Sequence, residues 1–214
     1  MNRIVLTLAA LLAGCNTQPE PTSSPPEAPK AGPSTAASGV AERSPIPEAE
    51  PPRPTLVAER LILAEWSTAE NKAVCAPVSF IFDGGKGGTP RRANFSGGWA
   101  VAFDLPGKRS AYGLAGAGLI PADDDAEIAR RERLINQWPS FRDLPALPQP
   151  AYAGYGVEGG TAWSDDDPQA LRSNALAYVR IGGQTCQYNV WSRLGRAHLE
   201  TLLENLRLLG RVLR

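Results

Sequence analysis

Near the C-terminus two alternating segments, Ala175 to Ile181 and Gln184 to Trp191, flank the dipeptide Gly182-Gly183. Alternation with period two marks a strand with one buried face, and paired glycines accept the positive φ angles of a tight type I′ hairpin. Closing the hairpin at these glycines predicts Val179 opposite Cys186, Ala177 opposite Tyr188 and Ala175 opposite Val190, all on one apolar face. Arg180, Thr185, Tyr178 and Gln187 fall on the other face. This end of the chain is thereby committed to antiparallel sheet, with a sulfur atom pointing into its core.

The sequence also limits where folding can happen. Asn16 to Pro54 contains 11 prolines, no aromatic residue, and only Val40 and Ile46 among the larger aliphatics. Such a stretch buries too little apolar surface to offset chain entropy, so it reads as a disordered, partly polyproline-like spacer. Its reach is roughly 120 Å if stiff and nearer 35 Å as a coil. Ahead of it, Arg3 and the amino terminus precede an apolar run, Ile4 to Ala13, broken only by Thr7. That run is too short to cross a bilayer, which takes about 20 residues. Followed by the small residues Ala13-Gly14, it has the layout of a secretory signal.

Leu12-Ala13-Gly14-Cys15 resembles the lipobox of bacterial lipoproteins. The resemblance implies that the Cys15 thiol takes a diacylglyceryl group and becomes the new N-terminus, usually gaining a third chain on its amine. Two or more acyl chains anchor a protein stably where one does not. Enterobacterial lipoproteins kept at the inner membrane carry aspartate at the next position, and this chain has Asn16. The resemblance therefore points to the periplasmic side of the outer membrane, with the inner membrane as the alternative. A plain secretory signal with an incidental cysteine is the simpler rival. The chain divides into a signal (residues 1–15), a tether (16–54) and a single globular domain (55–214).

In that domain 18 Lys and Arg face 17 Asp and Glu. A near-neutral domain lacks the electrostatic footprint of a nucleic-acid binder. With Cys15 lipidated, Cys75 and Cys186 are the remaining cysteines, and in an oxidising compartment a lone pair is expected to be bridged. The bridge would close a loop of about 100 residues, contributing roughly 4–5 kcal/mol on the chain-entropy model.

Arg196 to Val212 predicts an amphipathic helix. Leu199, Leu202, Leu203, Leu206, Leu209 and Leu213 form a stripe opposite Arg196, Glu200, Glu204, Arg207 and Arg211. Val74 to Phe82, Trp99 to Leu105 and Ser110 to Ile120 read as strands, separated by Gly84 to Gly88 and by Pro106-Gly107-Lys108. Asp123 to Trp138 reads as a helix with acids in its first turn and an i,i+4 pair at Glu127 and Arg131. Thr55 to Trp66 reads as another helix, and Pro139 to Trp163 as a long loop. The expected fold is α+β: a mainly antiparallel sheet of about five strands, helices on one face, and a C-terminal hairpin followed by a helix.

Chemistry is harder to find. One histidine, His198, and cysteines without Cys-x-x-Cys spacing leave no zinc site, and no cofactor motif occurs. His198 is expected at the partly exposed edge of the leucine stripe. Cys75 with His198 could form a cysteine hydrolase pair, but Cys75 precedes a strand containing Pro77 and opens no helix that would depress its pKa. No Gly-x-Ser-x-Gly elbow is present. The glycines from Gly84 to Gly88 lack phosphate-loop spacing and read as a hairpin loop. The acidic triplets at Asp123 and Asp165 offer calcium oxygens without EF-hand order; helix capping explains both more simply. Tyr152, Tyr155 and Trp163 could stack on sugar rings if exposed, or fold back to cap the sheet. The expectation is a lipid-anchored envelope protein with a non-catalytic binding or scaffolding domain, its partner an envelope protein or peptidoglycan glycan. The alternatives are a Cys75-dependent cell-wall hydrolase, or an inhibitor or assembly factor of an envelope enzyme.

Overall fold

The computed structural model describes residues 56–95, 97–119, 127–157, 160–164, 166–167 and 174–210. The signal with Cys15, the tether, the Asp123 triplet and Asp165 lie outside them. Glu50–Arg214 forms one compact unit.

Three helices, α1 (Glu59–Thr68), α2 (Glu127–Gln137) and α3 (Arg196–Glu204), accompany nine strands among the described residues. The strands are β1 (Val78–Phe80), β2 (Thr89–Arg92), β3 (Trp99–Leu105), β4 (Lys108–Leu119), β5 (Ser140–Asp143), β6 (Tyr152–Val157), β7 (Ala175–Arg180), β8 (Cys186–Ser192) and β9 (Leu206–Leu208). The main sheet has seven strands in the order β2-β3-β4-β8-β7-β6-β5, every neighbouring pair antiparallel. β1 and β9 form a separate antiparallel pair. The α+β class and the antiparallel sheet are as expected; the strand number is seven rather than about five.

The added strands come from segments expected to be loop. The stretch 139–163 contains β5 and β6, and the residues after the glycine loop form edge strand β2. β3 runs from Trp99 to Leu105, as its apolar alternation predicts.

Helices cover both faces, which corrects the expected single layer. On β6, Tyr155 and Ala153 point to the face carrying α3, where Tyr155 Oη donates to Glu200 at 3.1 Å. Tyr152 and Gly154 point the other way, where Tyr152 Oη donates to Glu127 of α2 at 2.6 Å. α2 approaches this second face closely: a Cβ at Gly154 would lie 2.7 Å from both Leu134 and Trp138. The Trp138 ring meets Tyr178 edge-on, centroids 4.9 Å apart. Arg131, expected to pair with Glu127, instead reaches Asp143 on β5 at 2.9 Å and lies over the Phe141 ring. The nonlocal carboxylate outcompetes the local one because β5 runs alongside the helix.

The core lies between the first face and α1, α3 and the β1–β9 pair. It gathers Trp99, Val101 and Phe103 with Tyr112, Leu114, Tyr188 and Val190, and closes with Ile62, Leu199, Leu202 and Leu206. The C-terminal hairpin keeps its predicted faces but shifts register by two: Val179 pairs with Tyr188 and Ala177 with Val190. A turn does close at the glycines, Gln184 N donating to Ile181 O at 3.1 Å, but only Gly183 takes a positive φ, so it is not the expected type I′ turn, and the flanking residues bond outside the hairpin. Gly182 N donates to Pro148 O at 3.0 Å, and Gln184 Oε1 accepts from Ala76 N at 3.0 Å. A shift of two leaves every side chain on its predicted side.

The expected final helix is also too long. It stops at Glu204, where Asn205 N and Nδ2 both donate to Thr201 O. The chain beyond turns into β9 because β1 offers backbone partners: Ile81 N donates to Asn205 O at 2.9 Å and Leu209 N to Pro77 O at 2.8 Å. Leu206 and Leu209 still enter the core, from extended backbone.

Candidate functional site

Cys75 and Cys186 are both fully buried and lie at disulfide distance, with Cα atoms 4.9 Å apart across a separation of 111 residues. This is compatible with the expected bridge. Tyr152 and Tyr155 are buried on opposite faces of β6, so they present no shared stacking surface. Burial and the neighbouring Glu127 push the Tyr152 hydroxyl up to about 12, and burial with Glu200 raises Tyr155 as well. Trp163 is half-buried, its Nε1 donating to Ser140 Oγ at 3.3 Å and Arg196 resting over its ring. These three aromatics cap the sheet. In the second acidic triplet, Ser164 bridges Asp167 and its Oγ accepts from Asp166 N.

His198 is not at a surface. It is 6% exposed, and its Nε2 lies 3.0 Å from the carbonyl oxygen of Asp83. A carbonyl only accepts, so Nε2 carries the proton and Nδ1 accepts from Ser192 Oγ at 2.9 Å. The Asp83 carboxylate accepts from Tyr112 Oη at 2.6 Å and from Gly87 N at 3.0 Å. The glycine loop is thus latched onto the core by Tyr112 and His198. Ser192 and His198 make a serine–imidazole pair, but Ser192 is fully buried and Leu194 N already donates to its oxygen. The pair secures the loop. His198 bonds to Ser192 and Asp83, not to Cys75, which leaves the hydrolase arrangement without its base.

A concavity lies elsewhere, on the second face beyond the reach of α2. It encloses about 260 Å³ and is lined by Phe95, Asn174, Leu176, Asn189, Trp191 and Arg193, with Ser110 at its rim. Its floor follows from strand register. Trp191 of β8 pairs with Gly113 of β4, and the indole lies across that glycine. A Cβ at Gly113 would overlap the ring and approach Val101 O to 2.6 Å, so only glycine admits the indole in this position. The indole is therefore seated on backbone while the side chain remains half-buried in the cavity wall. Phe95, 38% exposed, adds a second apolar surface.

No protein family, curated protein or solved structure matches this chain.

Polar groups surround the Trp191 floor. Asn189 Oδ1 is buried without a hydrogen-bond partner. Arg193 is exposed, with one nitrogen donating to Arg109 O at 3.0 Å. The rim is held by Asp104, which accepts from Ser110 N at 2.6 Å and from Arg91 Nε at 2.9 Å. The Ser110 amide, with Arg91, holds the Asp104 carboxyl below the usual carboxylate range. An aromatic floor with amide and guanidinium walls offers a flat apolar contact and directional hydrogen bonds together. No acid–base pair is assembled there by the described residues. The arrangement offers an aromatic surface with hydrogen-bonding groups beside it.

Sequence reasoning passed over Trp191. The signal was present: in the predicted hairpin Trp191 falls on the polar face with Gln187 and Asn189, where a large aromatic needs a reason.

Proposed function

We propose that this chain is a lipid-anchored envelope protein whose folded domain is a non-catalytic glycan-binding module. The lipobox resemblance at Cys15 and the proline-rich tether support an anchored position, with the outer membrane's periplasmic side favoured by Asn16. The reading of the domain is carried by one observation: Trp191 packed on the backbone at Gly113 in the wall of an open cavity bordered by Asn189 and Arg193. A pyranose ring has one face of C–H groups, whose partial positive charge suits the negative face of an indole, and hydroxyls at its edge. Asn189 Oδ1 supplies an acceptor for one of those hydroxyls. Peptidoglycan is the glycan available on the periplasmic side.

Titrating the full chain with oligosaccharides of N-acetylglucosamine and with purified peptidoglycan tests this reading. Trp191→Ala is expected to weaken binding about 10- to 100-fold, the loss of roughly 1.4–2.8 kcal/mol. Trp191→Tyr, which keeps a ring, should retain most of the affinity. Wild-type binding indistinguishable from Trp191→Ala, or none to either glycan, would overturn it. The anchor has its own test. Cys15→Ser is expected to abolish palmitate labelling and move the protein from the membrane to the soluble fraction; unchanged labelling would refute acylation at Cys15.

A further inference from the structure

Further along β8, on the same sheet face as Trp191, a second and smaller cavity of about 130 Å³ lies between α2 and the sheet. It is lined by Arg130, Arg133 and Leu134 from α2, Tyr152 from β6, Arg180 from β7 and Gln187 from β8. Three arginines thus line one cavity, and among its described lining residues there is no carboxylate. Glu127 is the nearby acid: it takes the Tyr152 hydroxyl and lies 3.7 Å from Arg130 Nη1. Asp143 is engaged by Arg131.

Arg180 is the informative member. Its Nη1 is buried and has no hydrogen-bond partner. A buried donor on a charged group that goes unsatisfied is costly, and native proteins rarely keep one without a use. Its placement is fixed by register, since Arg180 pairs with Tyr152 across β6 and β7 and lies beside that hydroxyl. Arg130 and Arg133 have interactions of their own; they add positive field, and Arg180 supplies the open donor.

We propose that this cavity is an oxyanion site that takes a carboxylate or a phosphate monoester. Guanidinium groups match both anions with paired N–H donors, and a site partly shielded from water strengthens the attraction. The occupant is anionic and small, because Leu134 and Gln187 confine the space around Arg180. Residues 187 and 191 lie on one strand about 13 Å apart at the usual rise per residue. A ligand bearing an acidic group that far from a sugar ring would span both cavities. That last clause rests on the glycan reading; the oxyanion site itself does not.

The test uses thermal denaturation of the full chain in inorganic phosphate, in acetate, and in chloride of equal ionic strength. Phosphate or acetate is expected to raise the midpoint by about 3 °C over chloride at ten times its dissociation constant. The same rise should appear in Trp191→Ala and vanish in Arg180→Gln. The two anion arms show whether phosphate or carboxylate is preferred. Phosphate also stabilises proteins generally by exclusion from their surfaces, but that effect would persist in Arg180→Gln. A rise in Arg180→Gln as large as in the wild type, or no rise in either anion, overturns the site. If Arg180→Gln does not fold, the Arg180 side-chain Nε–H resonance of the wild type is followed during phosphate and acetate titrations. Saturable movement supports the site and its absence overturns it. Loss of oligosaccharide binding in Trp191→Ala with the anion response intact separates failure of one reading from failure of the other.

Discussion

Reducing the Cys75–Cys186 pair is expected to destabilise the domain by about 4–5 kcal/mol and lower its thermal midpoint by about 10–15 °C. The size of the effect comes from the separation of 111 positions between the two cysteines. Joining them removes a large set of unfolded conformations, and on the chain-entropy model the gain grows with the logarithm of the loop. A bridge here would tie the segment before β1 to the start of β8 and enclose β1, β2, β3, β4, α2, β5, β6 and β7. Packing supports the same joint. Both sulfurs are fully buried, and Cys75 Sγ lies close enough to Gly116 that a Cβ there would approach it to 2.6 Å. Thermal denaturation with and without reductant measures the loss, and a Cys75→Ala, Cys186→Ala double variant should match the reduced protein without needing reductant. Thiol titration of the unreduced, denatured chain is the companion measurement, with no titratable thiol expected from these two residues. Finding two would sink the prediction and reopen a nucleophilic role for Cys75.

What the sequence disclosed of this fold follows from where packing leaves a periodic trace. β3 was legible because six of its seven residues are apolar, and the hairpin faces were legible because Ala175, Ala177, Val179, Cys186, Tyr188 and Val190 alternate cleanly. β6 was not legible, for a specific reason. Gly154 and Gly156 stand where side chains would have shown the alternation, and they are glycines because α2 and Pro139 pack directly on the backbone there. The tertiary contact that makes the strand useful removes the pattern that would announce it. β2 is a polar edge strand, Thr89-Pro90-Arg91-Arg92, whose proline fits an edge but reads as a turn. The leucine stripe overran its helix because three- and four-residue spacing cannot register a competing strand far earlier in the chain, where Val78 pairs with Leu208 and Phe80 with Leu206.

The sites divide in the same way. The partnership of Cys75 and Cys186 could be inferred from number and compartment alone. Tyr152, Tyr155 and Trp163 drew attention as aromatics among glycines, and those glycines mark helix packing rather than an open loop. Trp191 and Arg180 depend on neighbours from other strands: Gly113 lies 78 positions before Trp191, and the arginines of α2 meet Arg180 only after the sheet has formed.

Replacing His198 by alanine is expected to cost about 2–4 kcal/mol, a cavity in the core together with the loss of two buried hydrogen bonds. The imidazole bridges the Asp83 carbonyl and the Ser192 hydroxyl, and its ring meets Tyr112 edge-on at 5.1 Å. Removing it frees the glycine loop at one attachment and leaves those to Tyr112, whose hydroxyl donates to Asp83 and accepts from Gly88 N at 2.9 Å. The same residue should make stability depend on pH. Burial holds the His198 pKa below its ordinary value, Lys86 depresses it further, and the Asp83 backbone and carboxylate oppose the shift. The unfolded chain therefore takes up the proton first. The stability due to the neutral ring is complete above about pH 6.5 and declines as pH falls towards the folded-state pKa, with a limiting slope near 1.4 kcal/mol per pH unit. His198→Gln keeps a donor and an acceptor but does not titrate, so it should be less damaging than alanine and lose this slope. Urea denaturation of the wild type and His198→Gln from pH 8 to pH 5 isolates the effect, because the carboxylates common to both cancel in the difference. Parallel curves over that range would show that His198 carries no such linkage and that the loop is held by Tyr112 and Asp83 alone.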